Sequence, residues 1–173
     1  MLTTAMGIQV AVVGSGGEWE AAAEEVGRLL AERGCTVVTG GLDEVMAAAH
    51  RGAKRAGGAT IAILPGESRA AANPWADHAV VTGIGHARNL AVAASGDAVI
   101  AVGGSWGTLA EIAFAVRLGR PVVVLDGPSV EGVPRASTPA EAVEAALAGL
   151  ELTPPARPRA GGARGSAAPA RCR

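Results

Sequence analysis

Short apolar runs alternate with longer amphipathic segments along most of this chain. Runs of three to six residues, rich in Val, Ile and Ala, are bounded by Gly, Pro or Thr, which is typical of buried strands. The segments between them place apolar residues at helical spacing, and several end at a glycine. The pattern predicts strands at 8–13, 36–39, 60–64, 79–81, 98–102 and 122–125, and helices at 19–33, 44–56, 87–94, 107–118 and 139–147.

The order of these elements predicts the fold class. Strands that are apolar on both faces, alternating with amphipathic helices, indicate a buried parallel sheet. We therefore expect a single α/β domain over residues 1–152, with a Rossmann-like, doubly wound parallel sheet and helices on both faces. The loops that follow the strands should meet at one edge, where open α/β sheets bind ligands.

Composition and cysteine content limit the fold classes and the cellular locations expected for this domain. Apolar residues make up 49% of the 173 residues and aromatic residues only 2%, which favours an α/β domain. No run of about 18 apolar residues occurs, so we expect no membrane partner. The N-terminus lacks the features of a signal peptide. Cys35 and Cys172 fall in very different surroundings, which favours no disulfide and a cytoplasmic location.

The last 21 residues differ in composition from the rest. Residues 153–173 are rich in Pro, Ala, Gly and Arg without apolar periodicity, so we expect a disordered tail. The tail holds five of the 15 basic residues and no acidic one, which leaves ten basic against 16 acidic residues in the domain. An acidic domain argues against nucleic acid as a partner. The tail is either an arm for an anionic partner or, as we favour, a solvated extension.

A glycine-rich turn at Gly103–Thr108 carries the strongest chemical signal. It follows the strand 98–102 and opens the helix 107–118, so its backbone N–H groups should lie free at a helix N-terminus and attract an anion. The sequence therefore predicts a small phosphorylated ligand. The expected binding residues of this turn are Gly104, Ser105, Trp106, Gly107 and Thr108. Trp106 either stacks on a ligand ring or covers the core.

Two charged residues are candidates for catalysis. Glu111 follows the turn near the end of the first helical turn, where it either assists chemistry or is an exposed carboxylate favoured by the helix dipole. Arg88 begins another helix, where its charge opposes the dipole, so a bound anion would explain it. Asn89 should assist in binding, and His86 is a further acid–base candidate.

Two further glycine turns should contribute to the same edge of the sheet. Gly14 and Ser15 follow the first strand, and Gly40 and Gly41 follow the second. The first turn lacks dinucleotide-fingerprint spacing because Trp19 stands at the third glycine position, and no Walker lysine occurs. No His/Cys cluster has metal-ligand spacing. We therefore expect neither a metal nor a cofactor. Asn73 and Trp75, in the irregular stretch 67–77, form either a lid or an ordinary surface loop.

Three motifs together resemble the LOG family, also known as lysine decarboxylase-like proteins. The family's PGGxGTxxE resembles Gly103–Glu111, its MHERK-type segment resembles residues 85–89, and its GGGxxGLM resembles residues 39–46. The likeness covers about residues 8–126. The resemblance implies a Rossmann-like fold and nucleoside 5′-monophosphate phosphoribohydrolase activity, with Arg88 and Glu111 as the catalytic pair. Gly103, Ser105, Ala87, Asn89 and Glu44 depart from the family pattern, and Glu44 adds a negative charge at a helix start expected to face the ligand.

Ala-Arg-Asn at 87–89 and Val-Gly-Gly at 102–104 are closer to the branch related to molybdenum cofactor carrier proteins. That likeness implies a non-catalytic carrier or sensor of a phosphorylated pterin or nucleotide as the alternative to a hydrolase. A pure interaction domain is the third reading. Small residues on one helix, Ala110, Ala113 and Ala115, permit close packing between helices and favour a homo-oligomer.

Overall fold

The structure, a computed structural model, describes residues 7–42 and 44–152. Its strands are β1 (Gln9–Ser15), β2 (Thr36–Thr39), β3 (Thr60–Leu64), β4 (His78–Val81), β5 (Ala98–Gly103), β6 (Val122–Leu125) and β7 (Arg135–Ala136). Its helices are α1 (Glu20–Glu32), α2 (Val45–Arg55), α3 (Arg88–Ser95), α4 (Trp106–Arg117) and α5 (Pro139–Leu152). Short 3-10 turns occur at Gly17–Trp19, Arg69–Ala71 and Gly85–Ala87.

All seven strands of the described part form one parallel sheet. The strand order is β4-β3-β2-β1-β5-β6-β7, and each neighbouring pair is parallel. Strands β2, β3 and β4 follow one another on one side of β1, and β5, β6 and β7 follow one another on the other side. The order therefore reverses between β1 and β5, which is where ligands bind in open α/β sheets. The predicted α/β, doubly wound parallel sheet is confirmed.

The strands of the sheet bury both faces. Along β1, Val10 and Val12 pack into one core with α1, α2 and α5, while Ala11 and Val13 pack into a second core with α3 and α4. Successive residues of a strand point to opposite faces, so one strand serves both cores. The two layers of helices leave the carboxyl ends of β1 and β5 accessible between them.

The predicted elements agree with the structure apart from their ends and one strand. β2, β3 and β6 have the predicted bounds. β1 runs two residues further than predicted, so Gly14 and Ser15 belong to the strand rather than to a loop. The sequence missed β7, because a two-residue edge strand has no alternation to detect. The predicted helix 139–147 continues to Leu152.

The start of α5 shows a capping box in a shifted form. The Glu141 N–H donates to Thr138 Oγ1 at 3.2 Å, as a capping box requires. The Glu141 carboxylate reaches back one residue further than the motif predicts, accepting from the Ser137 N–H at 2.8 Å.

The structure also bears on the expectations for the cysteines, for a membrane-spanning helix and for the oligomer contact. Cys35 is a buried free thiol, while Cys172 and the predicted 153–173 tail lie outside the described residues. Among the described helices, none has the length and hydropathy needed to cross a membrane. Ala115 is wholly buried within the chain, so it cannot contribute to the oligomer contact for which it was considered, whereas Ala113 is exposed.

Candidate functional site

A small polar cavity lies where β1 and β5 end side by side. The hydroxyls of Ser15 and Ser105, one from each strand's end, are 3.3 Å apart and join the two glycine turns. The cavity has a volume of about 150 Å³. Its lining comes from five segments of the chain: Val13, Gly14, Ser15, Gly40, Met46, His86, Arg88, Asn89, Ser105, Gly107, Thr108 and Glu111. The sheet order thus brings together residues far apart in sequence.

Arg88 is buried in the wall of this cavity without a partner. It is the first residue of α3 and only 7% exposed. Its Nε is fully buried and makes no hydrogen bond. The guanidinium lies directly over Gly40, so a side chain on residue 40 would collide with it. An unpaired buried guanidinium is costly, and a bound anion would supply the missing partner.

Glu111 shares the same buried environment. It is 7% exposed, in the second turn of α4, which excludes the alternative of an exposed carboxylate in the first helical turn. Thr108, Ile112 and Ala115 are buried on the same face of α4, which explains its position. In the described part of the chain, Glu111 makes no hydrogen bond or ion pair, including none with Arg88.

Burial shifts both pKa values toward the neutral forms. Burial raises the pKa of Glu111 from 4.5 to about 7, with the positive charge of Arg88 opposing the shift. Burial also lowers the pKa of Arg88, and the negative charge of Glu111 opposes that shift. Near pH 7 the carboxyl is therefore partly protonated, while arginine stays positively charged. The pocket can present a cation and a neutral acid to one ligand.

The second glycine turn that borders the cavity, Gly103–Thr108, leaves the start of α4 open. Gly103 and Gly104 have φ values of 58° and 109°, a backbone region that favours glycine. Ser105 precedes the helix without capping it through its side chain. The first N–H groups of a helix have no partner within it, so an uncapped start can bind an anion. Thr108, buried at the cavity wall, packs against Gly104 and holds this turn.

Most of the predicted binding residues line the cavity, but three do not. Gly104 and Trp106 line an adjoining cavity of about 250 Å³, together with Leu109 and Pro128. Ser105 lines both cavities, so the two spaces adjoin at this residue. Trp106 is 85% exposed, which excludes the interpretation that it covers the core.

Gly41 lines neither cavity because its backbone is used inside the protein. Its N–H donates to Thr39 Oγ1 at 2.9 Å, and its carbonyl accepts from the Asn73 N–H at 2.8 Å. Asn73 also donates through its side chain to the Leu42 carbonyl at 3.1 Å. Asn73 is therefore buried support for the Gly40–Gly41 turn, and neither it nor Trp75 lines the cavity.

His50 completes this support, and the sequence analysis did not identify it. Its two ring nitrogens lie 3.1 Å from Thr39 Oγ1 and 3.3 Å from the Asn73 side chain. Burial lowers the pKa of His50 to about 4, so the ring is neutral at pH 7. Its position among small buried residues of α2 was the one available signal, because a histidine there needs polar partners.

The first glycine turn is occupied by the protein's own side chains. The Glu44 carboxylate accepts a 2.6 Å hydrogen bond from the Gly16 N–H. The Trp19 ring lies over both Gly16 and Gly103. Glu44 does not line the cavity itself, so its charge acts on the turn beside the site rather than inside it.

Metal binding finds no support in the described ranges, 7–42 and 44–152. No group of three or more His, Cys, Asp or Glu side chains there could hold a metal ion. The polar lining of the candidate site comes from one buried arginine, one buried acid, the side chains of His86 and Asn89, hydroxyls and backbone groups.

Comparisons with known proteins agree with this architecture. The profile of the SLOG cluster4 family matches residues 7–148. A protein of Archaeoglobus fulgidus described as uncharacterized is 44% identical over 140 residues, which is 79% of this chain and 92% of that protein.

Two solved structures are similar over most of the chain. The molybdenum cofactor binding protein of Rippkaea orientalis is 34% identical, with a TM-score of 0.78 over 86% of this chain and 99% of that one. The molybdenum cofactor carrier protein of Chlamydomonas reinhardtii is 33% identical, with a TM-score of 0.76 over 86% of this chain and all of that one. The suspected LOG-like branch is confirmed, and the chain belongs to the SLOG cluster4 family.

Proposed function

We propose that this protein is a carrier that binds a phosphorylated pterin of the molybdenum cofactor type and releases it unchanged. The observation that carries the proposal is Arg88, a buried guanidinium with an unpaired Nε beside the uncapped start of α4. Similarity to molybdenum cofactor binding and carrier proteins supports this ligand class over others.

The two adjoining cavities suit the two parts of such a ligand. The polar cavity of about 150 Å³ is large enough for an anionic head group but small for a whole nucleotide or pterin. Arg88, Asn89 and Thr108 would hold the phosphate there. The neighbouring 250 Å³ cavity offers Leu109, Pro128 and the exposed Trp106 ring, on which a planar heterocycle can stack.

Glu111 has a role in binding that needs no catalysis. A dianionic phosphate next to an ionised carboxylate would be repelled, but a protonated carboxyl can donate a hydrogen bond to it. The raised pKa of Glu111, about 7, allows the neutral form near physiological pH. Phosphate binding would stabilise the protonated form further.

Titration calorimetry with a phosphorylated pterin and its dephosphorylated form tests the carrier proposal. Wild type should bind the phosphorylated form at least about tenfold more tightly, since Arg88 supplies a charge-assisted hydrogen bond. Arg88→Lys keeps the charge but loses the planar fork, and it should lose most of that preference. Equal affinities of wild type for the two forms would contradict the proposal.

A nucleoside 5′-monophosphate phosphoribohydrolase is the second candidate function. It is favoured by the same Glu111, because an acid with a pKa of about 7 can protonate a departing base. The test is release of free base from a panel of monophosphates, with Glu111→Gln as the control. Release by wild type that Glu111→Gln abolishes would establish the hydrolase, and no release from any monophosphate would reject it.

We also propose that the chain forms a homo-oligomer. Val116 and Leu118 at the end of α4, and Leu90 on α3, are exposed large apolar residues. Exposed large apolar residues on a monomer surface are typical of association surfaces. Light scattering of the full chain tests this proposal. We expect a dimer or larger species in wild type and a shift toward monomer in Val116→Lys, whereas a monomeric wild type would refute it.

A further inference from the structure

We propose that Glu44 acts as a built-in anion that occupies the first glycine turn and restricts the site to ligands with a single terminal phosphate. This inference rests on the proposed phosphate site, and it concerns which phosphorylated ligands that site accepts.

The contacts of the first turn resemble those of an occupied anion site. Gly16 presents a backbone N–H at the end of β1, where Rossmann-like folds bind phosphate. In this chain the N–H donates instead to Glu44 Oε2 at 2.6 Å, a distance typical of a strong charge-assisted bond. An incoming phosphoryl group would have to displace this carboxylate or suffer its repulsion.

The backbone conformation of Glu44 indicates that its carboxylate is held at the turn against the local conformational preference. Its φ of 54° and ψ of −126° lie in a region that residues with a side chain rarely adopt. A glycine would fit this position without strain. The bond to Gly16 brings the carboxylate to the turn although the local conformation is unfavourable.

Trp19 closes the same turn from another side. Its ring lies over Gly16 and Gly103. A glycine in place of Trp19 would leave room for a diphosphate to approach the backbone. The Trp19 ring also covers Gly103 of the second turn, but that turn differs because no side chain caps the start of α4 through a hydrogen bond. The two turns adjoin through Ser15 and Ser105, 3.3 Å apart. A phosphate in the second turn is therefore next to a closed first turn.

Titration calorimetry of the full chain with inorganic phosphate and pyrophosphate tests this restriction. Wild type should bind pyrophosphate no more than about threefold tighter than phosphate. Glu44→Gly frees the Gly16 N–H and removes the charge, so pyrophosphate affinity should rise at least about tenfold while phosphate affinity stays within about twofold. Glu44→Gln removes the charge but can still accept the hydrogen bond, so its effect should be smaller.

Glu18→Gln is the matched control. Glu18 lies beside the same glycine but accepts no hydrogen bond from the turn, so its replacement should change neither affinity by more than about twofold. Circular dichroism checks that each variant folds, and Glu44→Gln carries the test if Glu44→Gly does not.

The outcomes separate this inference from the proposed function. If phosphate binds and pyrophosphate affinity is the same in wild type and both Glu44 variants, the role of Glu44 is refuted while the phosphate site stands. If no variant binds phosphate at millimolar concentration, both the phosphate site and the restriction are refuted.

Discussion

Replacing Gly40 by alanine should weaken ligand binding without destabilising the protein. A Cβ on residue 40 would lie 2.7 Å from Arg88 Cζ and 2.8 Å from Nη2. Nη1 lies closer still, and heavy atoms pack best at about 3.5–4.0 Å, so the guanidinium must move by about 2 Å. Losing one charge-assisted hydrogen bond costs about 1.5–3 kcal/mol, which weakens binding roughly 10- to 150-fold.

The effect on stability should be small. The φ of Gly40 is not positive, so alanine fits the backbone, and the long arginine side chain can move without shifting the fold. Glycine-to-alanine changes at compatible positions stabilise by about 0.4–1 kcal/mol, which offsets the local repacking. We therefore expect the free energy of unfolding to change by less than about 1 kcal/mol.

Calorimetry with a phosphorylated ligand and urea unfolding measure the two quantities separately. Gly66→Ala is the matched control, because Gly66 follows β3 at the same edge of the sheet, has no positive φ, and has no atom within 4 Å of a new Cβ. Wild-type affinity in a folded Gly40→Ala would refute the assignment of Arg88 as the phosphate ligand. A large loss of stability would refute the argument that the arginine can move freely.

Three further predictions concern stability, each measured by urea unfolding. The folded chain holds the Glu111 proton more tightly than the unfolded chain, so stability falls as pH rises from about 4.5 to 7. The free energy of unfolding of Glu111→Gln, relative to that of wild type, should be higher at pH 8 than at pH 4.5 by up to about 3 kcal/mol. A difference between the two proteins that does not change with pH would contradict this. The lowered pKa of His50 acts in the opposite sense, so stability falls as pH drops from 6.5 to about 4, and His50→Gln should remove that loss. If stability falls as steeply between these pH values in His50→Gln as in wild type, the prediction for His50 is wrong. Thr138→Ala should cost about 1 kcal/mol through the lost cap of α5, and less than half of that would argue against the cap.

The sequence predicted the fold well because the hydrophobic pattern is strong. β2, β3 and β6 are short apolar runs with Gly, Pro or Thr at one or both boundaries, and their bounds were correct. Errors occurred where tertiary contacts decide the outcome. Gly14 and Ser15 extend β1 because β5 pairs with them, and β7 exists only because β6 offers an edge.

Much of the candidate site was also predictable, because strand ends of a parallel sheet meet at one edge. Glu111 was identified from its position after a glycine turn and Arg88 from its charge at a helix start, and the structure brings both to one cavity. Their burial was not predicted, although the helical spacing of Glu111 from Thr108 and Ala115 carried that information. The bonds of Glu44 to Gly16 and of His50 to Asn73 join distant segments, and no local pattern encodes them.

The central claim is that Arg88 holds a phosphorylated ligand that the protein does not cleave. Native mass spectrometry of the full chain, mixed with a phosphorylated pterin or with nucleoside 5′-monophosphates, tests it most directly. We predict one intact pterin per chain, lost in Arg88→Lys, and no accumulation of free base. A chain that retains no pterin, or that releases free base from a monophosphate, would contradict the carrier account.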